Sequence, residues 1–183
     1  MTWDYVFRHV EDVVSDQSDI PEAEDRYVFG VDWAHGTEYM CVIVLKDQSV
    51  VAVMRIQSFG WKAQRDLLLT LGGFWSPDSI WISAGGPNIE ALQSEGLPII
   101  SYSVTRLAKE RLIWGLASAI DQRKLTVLNS VTLRDQLLNY RVELLSSGLC
   151  RYYALPEIGG DCVISLALAW HGVNYGGTGI SFV

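Results

Sequence analysis

The sequence lacks a glycine-rich phosphate loop. Gly-x-x-x-x-Gly-Lys-Ser/Thr occurs nowhere, and Gly85-Gly86 has no following lysine, so that pair reads as a turn and a nucleotide cradle is excluded. Long apolar runs are also missing. The longest, Cys162 to Trp170, contains Ser165 and is too short to span a bilayer. Residues 1–26 are acidic and have no basic start with an apolar centre, so no secretory leader is expected. Histidine and cysteine are scarce. His9, His35 and His171 are too scattered for a histidine-based metal site. Cys41, Cys150 and Cys162 are odd in number, far apart and without metal-ligand spacing, which predicts buried free thiols in a reducing compartment. Finally, there is no basic excess. Lys and Arg total 14 against 21 Asp and Glu, a net charge of −7. That excludes a protein whose whole surface grips nucleic acid and leaves room for a local basic track.

What is present suits one folded domain. The chain has 183 residues, 49% hydrophobic and 19% charged, enough for a sizeable core. Val6, Val10, Val13 and Val14 sit at helical spacing and predict a short amphipathic segment, followed by an acidic linker or docking arm to residue 26. Three apolar runs then follow, Tyr27 to Asp32, Tyr39 to Leu45 and Val50 to Ile56, predicting two hairpins in series. Trp61 to Leu71 is helical in character, with Gly72-Gly73 expected to end it. Ile80-Trp81-Ile82 predicts a buried strand ending at Ser83. A tight turn over 84–88 comes next, with Pro87 in the first turn of a helix reaching Leu92 or beyond. The remaining pattern predicts a strand over 97–102, a long helix over 105–122, a strand-like run over 125–128 and a helix over 131–140. A hairpin (141–145 with 150–153), a last helix over 161–171 and a loose tail from 174 complete it. Three strands in meander, then alternating helices and strands, predict an α/β protein with a central mixed sheet flanked by helices.

Asp32 ends the first strand. Burying a carboxylate without a partner is costly, so Asp32 either caps the next turn or serves chemistry. Glu38 opens the second strand of the hairpin and lies near it. Asp161 opens the last helix, where an Asp is also an ordinary cap. Carboxylates converging from strand ends are what Mg²⁺ or Mn²⁺ require for phosphodiester hydrolysis. These cations take oxygen ligands, and a metal pair stabilises both the attacking and the leaving oxygen. Among the late basic residues, Arg106, Lys109, Arg111 and Arg123 form either a phosphate-contacting track or a solvated helix face.

Three stretches together resemble the nuclease domain of the large terminase subunit of tailed phages. They are Phe29-Gly30-Val31-Asp32-Trp33-Ala34 with Glu38-Tyr39, the run Val104 to Ile113, and Gly160-Asp161 followed by the apolar run to Ala169. The resemblance covers roughly Tyr27 to Val173 by order of elements. It implies a ribonuclease H-like fold, with a nuclease domain over 27–173, an N-terminal segment and linker remnant over 1–26, and a tail over 174–183. The implied activity is metal-dependent DNA endonuclease action that cuts concatemeric viral DNA during genome packaging, by two-metal hydrolysis. The implied partners are double-stranded DNA, a packaging ATPase domain or subunit, the portal and the small terminase. The implied location is the cytoplasm of the bacterial host, with no membrane association. Carried over by position, Asp32 matches the first metal ligand, Asp161 the last acidic position, and Glu38 an acid often found in the first hairpin.

There are two departures from the family pattern. The strand at 80–82 should end in an acid and ends at Ser83. The His-Asp that usually precedes the last Asp is Gly159-Gly160 here. A missing central carboxylate predicts weak metal binding and weakened activity. Glu90, in the next helix, is a candidate substitute beside Ser83; it also reads as a plain surface residue. The alternatives are a catalytically weakened docking or DNA-holding module and a junction-resolvase-type nuclease. Without a phosphate loop, the expected object is a nuclease domain alone, either a fragment or a stand-alone subunit.

Overall fold

The computed structural model describes residues 3–35, 38–57, 60–83 and 88–175. Strands β3 (Tyr27–Asp32), β4 (Tyr39–Lys46) and β5 (Ser49–Gln57) form an antiparallel meander. Strand β6 (Ser79–Ser83) pairs in parallel with β3, and β7 (Ile99–Tyr102) in parallel with β6. The sheet order is β5-β4-β3-β6-β7, so the strand ending at Asp32 is internal, between β4 and β6, as the sequence predicts.

Strand periodicity decides which side chains meet. Along β4, Cys41, Ile43 and Leu45 enter one core, whereas Met40, Val42 and Val44 enter the other. The sheet is thus covered on both faces. In β3, Tyr27, Phe29 and Val31 belong to the second core, which leaves Gly30 and Asp32 on the first side. In β6, Ile80 and Ile82 take the second side and Trp81 the first, so Ser83 shares the face of Asp32.

Helix α1 (Trp61–Trp75) and the short α2 (Ile89–Ser94) cover the second face through Leu68, Leu71, Trp75 and Leu92. Helices α3 (Arg106–Asp121), α4 (Val131–Leu138) and α5 (Asp161–Tyr175) cover the first. Thr105 and Ser130 cap α3 and α4, their hydroxyls accepting from the N–H groups of Ala108 and Leu133. Helix α5 lies directly on β3. A Cβ on Gly30 would come within 1.8 Å of the Ser165 carbonyl oxygen, so only glycine lets the two backbones meet.

The N-terminal segment docks on this domain. Strand β1 (Trp3–Tyr5) pairs with β9 (Arg141–Leu144), which pairs with β10 (Cys150–Tyr153). Strand β2 (Val14–Ser15) pairs in parallel with β8 (Val127–Leu128). Between β1 and β2 only a short 3-10 turn over Val10–Val13 is helical. The predicted valine face exists, since Val10 and Val13 are buried. Its backbone groups find partners in the body of the domain, as Val6 N–H does on the Tyr140 carbonyl, and not along a continuous helix.

Several boundaries differ from the sequence reading, three of them near the site or its supporting helices. Helix α1 runs through Gly72-Gly73 and ends at Ser76, whose left-handed φ of 48° turns its N–H onto the Gly72 carbonyl. Gly72 serves packing instead: a Cβ there would lie 2.6 Å from Leu97 Cδ2. Helix α5 continues past His171 to Tyr175, so residues 174 and 175 are helical and not tail. Helix α2 starts after Asn88, which caps it by accepting from Ala91 N–H, while the predicted turn at 84–87 and Pro87 lie outside the described residues. So does the stretch 176–183. Among the described residues, no helix is long and apolar enough to cross a membrane.

Candidate active site

The end of β3, the start of β4, the later part of β5, the first turn of α3 and the N-terminus of α5 with the loop before it come together around a cleft of about 590 Å³. Its lining includes Asp32, Glu38, Arg55, Lys109, Tyr140 and Asp161. Asp32 and Asp161 therefore converge, although they are far apart in sequence. Ser165, one turn into α5, locks the convergence. Its hydroxyl accepts from Asp32 N–H at 3.0 Å and lies 2.9 and 2.8 Å from the carbonyls of Cys41 and Asp161. One side chain thus ties β3, β4 and α5 together.

The two carboxylates have different surroundings. Ser83 Oγ donates to Asp32 Oδ1 at 3.0 Å, and Trp33 N–H reaches the same hydroxyl at 3.4 Å. Burial pushes the Asp32 carboxyl up to about 7; Asp161 and Glu38 push the same way, while Ser83 and Lys109 oppose them. Asp161 is held by Arg55, whose Nε and Nη2 lie 2.7 and 3.0 Å from its two oxygens, and by Gln136 Nε2 at 2.9 Å. The pairing with Asp161 raises the Arg55 guanidinium further. Gln136 is fully buried and also accepts the Cys162 N–H at 2.8 Å, so α4 fixes the first turn of α5.

The remaining predicted residues divide. Ser83 is at the rim beside Asp32, as expected. Glu38 lines the cleft, and its carboxylate accepts from His35 N–H at 3.3 Å. Lys109 also lines the cleft, from the first turns of α3; burial pulls it below the usual lysine range and Asp32 opposes that shift. Arg106 and Arg111 are exposed on α3 and do not line the cleft. Arg123, past the far end of α3, pairs with Asp12 of the N-terminal segment at 2.6 Å. Glu90 is exposed in α2 and does not line the cleft.

Arg55, Gln136 and Tyr140 carry no site role in the sequence pattern, and Tyr39 enters it only as the neighbour of Glu38. Arg55 left a signal, since it is the one charged residue in the β5 run. Gln136 left none: a glutamine in a helix is ordinary until the fold buries it. The thiols hold a second surprise. Cys41 and Cys162 are both buried, their sulfurs are 3.1 Å apart, and with a carboxylate oxygen of Asp161 they lie within 4.8 Å of one another. Contact with Cys41 and burial hold the Cys162 thiol protonated.

These residues fit a divalent cation best on the Asp32 side. There, a partly buried carboxylate faces further negative charge with no basic group hydrogen-bonded to it among the described residues, which is the environment hard cations favour. On the Asp161 side the oxygens are already committed to Arg55 and Gln136.

No protein-family model matches the chain. The terminase large subunit of Thermus virus P23-45 is 30% identical over 155 residues, covering 79% of this chain and 31% of that protein. The chain spans about a third of the length of the curated relatives it matches. Among solved structures, the large terminase nuclease domain of Thermus phage P74-26 superposes with a TM-score of 0.85 at 23% identity, covering 92% of this chain and 95% of that one. The large terminase nuclease of phage G20c with bound magnesium superposes with a TM-score of 0.83 at 22% identity, covering 91% and 96%. By sequence the chain is similar to about a third of the length of the phage terminase large subunits, and its fold is the ribonuclease H-like fold of their nuclease domains.

Proposed function

We propose that the cleft is the catalytic centre of a metal-dependent endonuclease that cuts double-stranded viral DNA during genome packaging. The observation that carries this is the convergence of Asp32 with Asp161 and Glu38 in one cleft, where Asp32 is partly buried and, among the described residues, has no cation hydrogen-bonded to it. A structure of the G20c relative with magnesium supports divalent-ion use. Asp32 would anchor Mg²⁺ or Mn²⁺, and Asp161 and Glu38 would supply the rest of the negative wall. Such an ion, when bound, supplies an activated water and charge stabilisation at the phosphodiester. The chain's own groups do the remainder. Ser83 and Ser165 fix the Asp32 side chain and backbone. Lys109, at the cleft edge, offers its ammonium to a phosphate, with Arg106 and Arg111 further along α3. Tyr140, buried beside Lys109, shapes the floor. The packaging ATPase, portal and small terminase would be supplied by other parts of the same protein or by other chains in the host cytoplasm.

Ser83 favours a weakened version of this activity, because a hydroxyl stands where a further carboxylate would add charge. A DNA-holding module without cleavage is the limiting case. Plasmid nicking with Mn²⁺ and with Mg²⁺, against a chelated control and Asp32→Ala, decides between them. Metal-dependent nicking lost in Asp32→Ala supports the nuclease. Nicking that survives Asp32→Ala in clean protein places the chemistry elsewhere, and DNA binding with no nicking leaves the holding module.

A further inference from the structure

Among the described residues, the nuclease reading leaves the cleft's one arginine, Arg55, without a role. Arg55 is the only charged side chain in β5, and pairing sets it opposite Cys41, on the sheet face that α5 covers. Its guanidinium makes two hydrogen bonds to the two oxygens of Asp161, at 2.7 and 3.0 Å. The Tyr39 ring lies 3.6 Å from the guanidinium carbon. Both charged side chains are mostly shielded, 22% exposed for Arg55 and 11% for Asp161. The neighbouring loop is shaped around this pair. Gly159 has a φ of 81°, and a Cβ there would lie 3.1 Å from Asp161 Oδ1 and 3.3 Å from Arg55 Nη2. A planar guanidinium held by a carboxylate fork and an aromatic face is a preorganised, permanent cation. Among the described residues, nothing comparable is bonded to Asp32, whose carboxylate accepts from the Ser83 hydroxyl.

We propose that Arg55 is a built-in cation standing in for one of two divalent ions. It withholds Asp161 from metal coordination, so that the cleft takes a single ion on the Asp32 side. This rests on the nuclease reading of the site. An arginine cannot activate water as a metal ion does, but it supplies fixed positive charge, and the N–H groups not used by Asp161 are available to a phosphate oxygen. Arg55 thus acts on metal count by occupying Asp161, and on substrate as a phosphate contact at the cleft wall.

Mn²⁺ calorimetry and Mn²⁺ electron paramagnetic resonance on the full chain test this. The unaltered chain should bind one ion with the signal of an isolated Mn²⁺. Arg55→Met should bind one ion more than the unaltered chain, with the broadening of a spin-coupled pair. Arg55→Lys, which keeps the charge, should keep the original count. Asp161→Asn should keep the ion, with an affinity change no larger than the roughly 10–100-fold of an outer-shell substitution, since Asp161 is not its ligand. Two ions in the unaltered chain, or no gain in a folded Arg55→Met, overturns the proposal. Circular dichroism reports folding; if Arg55→Met does not fold, Arg55→Gln takes its place, and loss of the ion in Asp161→Asn also overturns the proposal. Plasmid nicking by the unaltered chain separately decides the nuclease reading. Nicking with two bound ions sinks only the arginine proposal. Absence of nicking sinks the nuclease, and the ion count of Arg55→Met still decides the role of Arg55.

Discussion

Asp32 and Asp161 face the same cleft and are held in opposite ways. Asp161 sits in a finished arrangement, with Arg55 on both oxygens, Gln136 on one, and its backbone in the first turn of α5. Asp32 sits in an unfinished one. It ends an internal strand, is largely shielded from water, has Ser83 as its hydrogen-bond donor, and feels the charges of Asp161 and Glu38. The first carboxylate holds the fold together, and the second strains it. A group that strains the fold and is kept in place by a serine network on three elements is the better candidate for chemistry. Identity of residue type is therefore a poor guide to role within one site; the counter-charge decides.

Four experiments break or sharpen this contrast. The largest effect is on activity: Asp32→Ala should reduce metal-dependent nicking by about 10³-fold or more, as should chelation of the metal, while the circular dichroism spectrum is unchanged. Next is stability, where the two carboxylates should give opposite signs. The Asp32 carboxyl lies near 7 in the folded chain, above its ordinary value of 3.8. The native state therefore takes up this proton first as pH falls, so this group's contribution makes the protein more stable as pH drops from about 7 to about 4, and least favourable above 7. Asp32→Asn should stabilise the metal-free protein at pH 8 by up to about 4 kcal/mol and flatten that pH dependence, read by urea denaturation. Arg55→Ala should instead destabilise by about 3 kcal/mol, because it strands Asp161 in a shielded site. Equal signs for these two variants would erase the contrast.

Smaller effects concern the rim. Ser83→Asp should tighten Mn²⁺ binding about tenfold and raise nicking, by adding a carboxylate beside Asp32, at some cost in metal-free stability. Glu90→Gln should change stability by less than about 0.5 kcal/mol and leave Mn²⁺ binding alone, since Glu90 is exposed and away from the cleft. A marked loss of metal affinity in Glu90→Gln would bring α2 into the site and undo the assignment of the rim to Ser83.

Much of this was legible in the sequence because it depends on local pattern. Strand periodicity put Asp32 and Ser83 at strand ends, and the apolar run after Asp161 marked the last helix. The order of strands and helices led to a mixed sheet with helices on both faces. What was not legible depends on pairing at long range. Arg55 and Asp161 meet only after a meander has formed and four intervening helices are in place. Gln136 looks like any helical glutamine until α5 is laid over it. Arg123 read either as a phosphate contact or as a solvated helix face, and its pairing with Asp12 depends on a segment more than a hundred residues away in sequence. Gly72 looked like a helix stop because glycine has two uses, and which one applies depends on Leu97, in a different element.

The contact at Gly30 has a consequence for how this site can drift. Helix and strand touch there through main-chain atoms, with no room for a methyl group. The spacing between the last strand residue and the first helix residue is then a machined tolerance, set by peptide geometry and indifferent to which apolar side chains fill the space around it. Surrounding core positions can change by degrees, each with a graded penalty. Position 30 admits no such gradation: any side chain becomes a wedge that lifts the whole helix as a rigid bar, carrying Ser165 and Asp161 away from Asp32 together. Selection at this position is all-or-none, although the residue itself touches no substrate.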